Sequence, residues 1–317
     1  MAILPPTPQN LSACCDRLKA GGLIGLPTET VYGLAADATN ASALAALYAT
    51  KARPNFNPLI THVADLETAR GLGRFNAVAE KLAAAFWPGP LTLVVPRSAD
   101  CAIDLLASAG LDSLALRCPA HPVAQALLQQ LQKPLAAPSA NPSGRLSPSR
   151  AEHVANMLPD IDILDGGAST IGLESSIVGC LQETAVWLRS GGISRHDVEA
   201  CLGFKIDDLP DEADATAKLA PGRLARHYAP KAKLVLNVNT LEDDRLLLGF
   251  GADAPHGAAA NLSPSGDLAE AASQLFAQLH DLDAMAVAQN KHIGVMPIPQ
   301  HGLGEAINDR LTRAAAN

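Results

Sequence analysis

Residues 22–34 read GLIGLPTETVYGL, and the contrast inside this stretch decides the fold. The first five residues are an apolar run short enough for a buried strand. Thr28, Glu29, Thr30 and Tyr32 then follow almost without a break. Hydroxyls in a core are costly unless they are bonded. They are cheap, and useful, where a chain turns at the mouth of a pocket, and Gly33 is expected to let the chain turn there. The same pairing of apolar run and polar cluster recurs. PLITHV (58–63), LTLVV (91–95), SLALR (113–117), PLAAP (134–138), DILDG (162–166), SSIVGC (175–180) and AVWLR (185–189) also read as strands. ASALAALYATK (41–51), HPVAQALLQQL (121–131) and SPSRAEHVANML (147–158) read as helices, the last with Ser149 and Glu152 spaced as a capping box. Strands mixed with helices predict an α/β domain around a sizeable sheet.

Composition shifts at KIDDLPDEADATAKLAPGRLARHYAPK (205–231). Its first half is acidic and weakly apolar, as a linker would be. Its second half is basic and contains His227 and Tyr228, which an inert linker does not need. KLVLNV (233–238), LLLGFGA (246–252) and IGVMPIP (293–299) then read as strands. DLAEAASQLFAQLHDL (267–282) and AINDRLTRAA (306–315) read as helices. A small second α/β domain is therefore expected from about residue 233.

The totals exclude several classes. The chain has 317 residues, 48% of them hydrophobic and 18% charged, as expected of a folded, well-buried protein. Aromatics make up only 3%, too few for a platform that stacks single-stranded nucleic acid. A net charge of −8 is the wrong sign for a nucleic-acid coat, so a basic site must be local. The six cysteines form no C-x-x-C pair and read as reduced thiols. With no signal-like start and no membrane-length apolar run, the cytoplasm is the expected location and no membrane partner is expected.

Cations and hydroxyls gather at the ends of the apolar runs. Lys51, Arg53, Asn57 and His62 lie in KARPNFNPLITH, where two cations complement a helix dipole or face a phosphate. Arg117 ends SLALR and needs an anion or open water. APSANPSGRLSPS (137–149) offers Ser139 and Ser147 as a plain turn or as an anion nest. GLESSIV and LRSGGIS add Ser176 and Arg189. No P-loop, no G-x-G-x-x-G and no H-E-x-x-H is present. The set has the make-up of a pocket for a polyphosphate and a small polar ligand.

In this order and spacing, PTETVYGL, KARPNFNPLITHV, FWPGPLTLV, LALRCPAHP, APSANPSG with SPS, DGG, GLESSIV, LRSGGIS and HYAPK resemble the Sua5/YrdC/YwlC family, the L-threonylcarbamoyladenylate synthases of tRNA modification. The linker and HGLGEAINDRLTRAA resemble the longer Sua5 type. The resemblance implies a catalytic domain over 1–204, a twisted mixed sheet around a concave cavity. It further implies a linker over 205–232 that is a possible active-site lid, and a Rossmann-like domain over 233–317. It implies that L-threonine, bicarbonate or CO2, and ATP with Mg2+ give threonylcarbamoyl-AMP and pyrophosphate. A separate transferase then modifies tRNAs that read codons starting with A, and weak tRNA contact is open. Carried over by position, Thr30, His62, Arg117, Ala137 and Ser176 would bind threonine. Lys51, Arg53, Asn57, Ser113, Ser139, Ser147, Arg189 and Tyr228 would bind ATP. No side chain is expected to be a nucleophile and none to hold a metal. Glu29 is open as base, Mg2+ contact or salt-bridge partner. The alternative is a module that binds double-stranded RNA or tRNA without catalysis.

Overall fold

The computed structural model describes residues 2–54, 57–208 and 227–316. The expected lid therefore lies largely outside the described residues, except for residues 205–208 and its last part from His227 onward. Eleven strands form one mixed sheet: β1 (Ile3–Leu4), β2 (Ile24–Leu26), β3 (Gly33–Asp37), β4 (Ile60–His62), β5 (Leu91–Pro96), β6 (Ser113–Arg117), β7 (Leu135–Ala136), β8 (Asp162–Leu164), β9 (Ser176–Gly179), β10 (Val186–Arg189) and β11 (Asp207–Asp208). Their spatial order is β1-β8-β2-β3-β7-β4-β6-β5-β9-β10-β11. The strand-like runs are continuous in apolar residues, not alternating, because helices and loops cover both faces. Leu91, Leu93 and Val95 enter one core with the helices Ala41–Thr50 and Ala77–Phe86, while Val94 and Ile177 enter a second.

Register explains how the site forms. Strands β4 and β6 run parallel, with His62 opposite Arg117, so both polar ends leave the sheet side by side. β7 runs antiparallel to β4 and brings Leu135 opposite His62, which sets the following Ala137 and Ser139 near the same edge. β9 runs parallel to β5 and antiparallel to β10, adding Ser175 and Arg189 from the far side.

Several local expectations change. Gly33 begins strand β3 and does not turn the chain. A Cβ there would sit 3.1 Å from the Ala137 Cβ and 3.2 Å from its carbonyl oxygen, so the requirement is for close approach. The Ser149–Glu152 capping box does not form. The helix Ala151–Met157 is preceded by Arg150, with no side-chain capping bond, and Ser149 N–H instead donates to His153 Nδ1 at 3.3 Å. β11 continues the large sheet past residue 204, and exposed Asp208 pairs with Arg195.

Four parallel strands, β12 (Leu234–Leu236), β13 (Arg245–Gly249), β14 (Ala260–Asn261) and β15 (His292–Val295), form the second sheet in the order β12-β15-β13-β14. The helices Leu268–Gln289 and Leu303–Ala315 pack on it. This core also contains Val31, Leu146, Leu173 and Tyr228, so the two domains share apolar contacts beside the PTETVYGL stretch. Among the described residues, no helix is long and apolar enough to cross a membrane.

Candidate active site

One pocket, with an empty volume of about 560 Å³, opens where these strand ends meet. Thr30, His62, Arg117, Ala137, Arg53, Ser139, Arg189 and Tyr228, all named from sequence, line it together. Thr28, Glu174, Ser175 and His227 line it too.

The PTETVYGL loop is held by its own hydroxyls. Thr28 Oγ1 donates to the Val31 carbonyl at 2.6 Å, which leaves Thr30 to donate across to Thr28 at 2.8 Å. Thr30 Oγ1 also accepts from Arg117 Nη1 at 2.8 Å. Tyr32 reaches away from the pocket, donating to the Gly167 carbonyl at 2.7 Å and accepting from Gly166 N–H at 3.0 Å.

Glu29 is a salt-bridge partner. Its Oε1 lies 2.6 Å from Arg117 Nη2, and both side chains are buried. Burial pushes the Glu29 carboxyl up, but the adjacent Arg117 cation prevails and holds it below the usual carboxylate range. His62 beside them is driven down to about 3 by burial and by Arg117, so it is a neutral imidazole at neutral pH. Arg117 Nε donates to the Gly89 carbonyl at 3.1 Å. A guanidinium has five N–H donors. These contacts leave donors over for a carboxylate in the pocket.

The opposite wall has a different charge balance. Arg53 donates to the carbonyls of Asn57 and Pro58 at 3.3 and 3.0 Å. It pairs with no carboxylate among the described residues, and burial lowers it to about 10. Arg189 Nη2 donates to the Ser175 carbonyl at 2.8 Å and to its hydroxyl at 3.2 Å. Both cations are still charged at neutral pH.

Five expected site residues do not line the pocket. Buried Lys51 donates to the carbonyls of Ser139 and Asn141 and so ties the helix Ala41–Thr50 to the pocket-forming loop. Burial, with Arg53 nearby, drives its amine well below the usual range. Ser147 donates to Glu174 Oε1 at 2.5 Å. Ser176 donates to the Ile193 carbonyl at 2.5 Å, and its neighbour Ser175 reaches the pocket instead. Asn57 offers its carbonyl to Arg53 and to the Tyr48 hydroxyl. Ser113 faces Pro96 across the sheet at the start of β6, away from the strand end that carries Arg117.

Tyr228 closes the pocket from the linker side. It is buried, with φ at 61°, a conformation that bulky residues rarely adopt. Its ring packs against His227 with centroids 4.0 Å apart, and against Phe276 at 5.7 Å. Burial pushes the phenol up to about 12 and the His227 imidazole down to about 3. Sequence reading missed Glu174 as a pocket residue and missed Arg310 entirely. Arg310 Nε pairs with Glu174 Oε2 at 2.8 Å, with both side chains buried.

Fold and pocket define a class: a two-domain α/β protein whose mixed sheet gathers cations and hydroxyls in one concave site. A family model of the Sua5/YciO/YrdC group, described as "Telomere recombination", matches residues 16–191. A second, described as "Threonylcarbamoyl-AMP synthase, C-terminal domain", matches residues 193–316. The chain belongs to the Sua5/YrdC family, in its longer, two-domain form. A threonylcarbamoyl-AMP synthase of Bacillus subtilis is 42% identical over 227 residues, a match covering 69% of this chain and 64% of that relative's length. The solved structure of Pyrococcus abyssi Sua5 complexed with L-threonine is 33% identical, with a TM-score of 0.89, covering 99% of this chain and 98% of that one. A P. abyssi Sua5 variant with adjacent histidine and tyrosine replaced by alanine superposes with a TM-score of 0.86 at 32% identity, over 99% of this chain and 96% of that one.

Proposed function

We propose that this chain is an L-threonylcarbamoyladenylate synthase, joining L-threonine, CO2 or bicarbonate, and ATP into threonylcarbamoyl-AMP and pyrophosphate. The observation that carries this reading is the two-sided pocket. Thr30, His62, Arg117 and Ala137 form a wall suited to an amino acid, and Arg53, Ser139, Arg189 and Tyr228 form one suited to a nucleotide. The likeness over nearly the whole chain to a Sua5 complexed with L-threonine supports it.

In this reading Arg117 receives the threonine carboxylate and Thr30 receives a polar group of the amino acid. The threonine ammonium first loses a proton to water. The free amine then attacks the carbon of CO2, and the adduct loses a second proton from nitrogen to water, giving a carbamate. A carbamate oxygen then attacks the α-phosphorus of ATP, and pyrophosphate leaves. Arg53 and Arg189 face the phosphates and offset their charge as it develops, so catalysis rests on positioning and electrostatics. Mg2+ enters with ATP as part of the substrate, MgATP. Glu174 is the pocket's carboxylate among the described residues, and it is already engaged by Arg310 and Ser147. Carbamate and mixed anhydride are both water-labile, and the buried Tyr228 and His227 exclude water on the linker side. The product is an activated acyl adenylate that a separate transferase acting on tRNA would consume.

The direct test mixes the protein with ATP, L-threonine, bicarbonate and Mg2+, then omits each while pyrophosphate is measured. Release should require every component. Pyrophosphate formed equally well without threonine would sink the reading.

A further inference from the structure

The last helix, Leu303–Ala315, belongs to the C-terminal domain, yet one of its side chains lies buried beneath the pocket. Arg310 is 1% exposed and turns two of its three guanidinium nitrogens to the other domain. Nε pairs with Glu174 Oε2 at 2.8 Å, and Nη2 donates to the Ser190 carbonyl at 2.9 Å. Its carbon centre lies 5.2 Å from the Tyr228 ring centroid, in cation–π range. Asp309 lies at its Nη1, at 2.6 Å. The other oxygen of Glu174 accepts from Ser147, so Arg310 completes a chain from the last helix through Glu174 to the loop after Ser139. The same helix offers the Arg313 carbonyl to His227 N–H at 3.4 Å, and Ala229 N–H donates to the Gly144 carbonyl at 2.8 Å. Tyr228, held between these two bonds with φ at 61°, is a residue that must be fixed by its surroundings.

We infer that Arg310 is a positioning residue of the pocket, through which the C-terminal domain holds Glu174 and the Tyr228 ring in their pocket-lining places. The inference rests on the reading of this pocket as the substrate site. A purely structural ion pair would need only charge balance. Arg310 does more, because its planar guanidinium meets a carboxylate, a carbonyl and an aromatic face at once, which an ammonium does not reproduce. The C-terminal domain then contributes to nucleotide binding without any residue of its own sheet entering the pocket.

The test uses the full chain in three forms, Arg310→Gln, Arg310→Lys and Glu174→Gln/Arg310→Gln. Hydrogen exchange of the segment 227–232 is the first readout. It should speed up at least tenfold in Arg310→Gln and Arg310→Lys, with strands β5 and β6 unchanged. The second is steady-state pyrophosphate release, where the KM for ATP should rise about tenfold or more while kcat falls less. The double variant removes both buried charges and should regain most of the melting temperature without regaining the ATP KM. Recovery of both in the double variant, or full activity in Arg310→Lys, overturns the inference. Should Arg310→Gln fail to fold, Arg310→Lys and the double variant still decide it. Should the wild-type chain release no pyrophosphate, the functional reading fails, and exchange at 227–232 alone decides for or against Arg310.

Discussion

The two walls of the pocket treat their arginines differently. On the wall proposed for threonine Arg117 is matched by Glu29 and by the Thr30 hydroxyl, and His62 beside them is neutral. On the wall proposed for phosphate Arg53 donates to carbonyl oxygens, which take a hydrogen bond but carry no full charge. The first wall is balanced before any ligand arrives and suits a zwitterion, whose own charges sum to zero. The second holds surplus positive charge in a desolvated place, as a polyphosphate requires. In the proposed reading, one pocket thus binds two substrates by opposite electrostatic rules.

Removing the surplus charge should have the largest effect. Arg53→Ala is expected to lower threonine-dependent pyrophosphate release about 1,000-fold, roughly 4 kcal/mol of transition-state stabilisation. Threonine affinity, measured by calorimetry, should hardly change. Equal loss of threonine binding would erase the division into two walls. Unbalancing the other wall comes next. Glu29→Gln leaves Arg117 buried without its counter-charge and should cost about 3 kcal/mol of stability in denaturant melts. It should also weaken threonine binding, because the extra cation disfavours the ammonium group.

The arginines of both walls also show what is legible in the sequence. Arg53, Arg117 and Arg189 stood out because each follows or closes an apolar run, where a cation needs a purpose. Ser147 and Ser176 are harder to place from sequence because a hydroxyl's partner is set in space. Theirs are Glu174 and Ile193, 27 and 17 residues away. Lys51 reads from sequence as a phosphate ligand, and here its amine donates to the carbonyls of a loop about 90 residues on. Four helices went unread: Pro8–Lys19, Leu66–Leu72, Ala77–Phe86 and Arg195–Leu202. Their N-caps Thr7, Asp65, Asn76 and Ser194 each accept a backbone N–H, and those residue types were the available signal. β3 is Gly-Leu-Ala-Ala-Asp, without a β-branched residue, and only its pairing makes it a strand.

Acid should strain both walls together. His62 and His227, and His153 between the domains, are held neutral with values of about 3, against roughly 6.5 in an unfolded chain. As pH falls below about 6.5 the unfolded chain takes up these protons first, so stability falls. The slope should approach about 1.4 kcal/mol per pH unit for each such histidine. Melting temperatures from pH 7.5 to 5 check this, and His62→Gln or His227→Gln should each remove one proton from the slope. The depressed carboxylates Glu29 and Glu174 have the opposite identity but act in the same direction. Their contribution is present above the normal carboxylate range and is lost as pH falls through their lowered values. The smallest effect is expected at Gly33, where β3 packs closely against Ala137. Gly33→Ala must push its methyl against Ala137 and should cost about 1 kcal/mol, with KM values for both substrates rising together.

The Glu174–Arg310 pair also orders events in time. The two residues are 136 positions apart, and chains emerge from the ribosome at about 5–20 residues per second. The large sheet is therefore available for folding several seconds before its buried carboxylate can meet its cation. Until then Glu174 has no buried counter-charge from the last helix, and the pocket it lines is unfinished. Completion of the site is thus a late step of synthesis, and a chain cut short of residue 310 would display a nearly whole first domain whose pocket had never been closed.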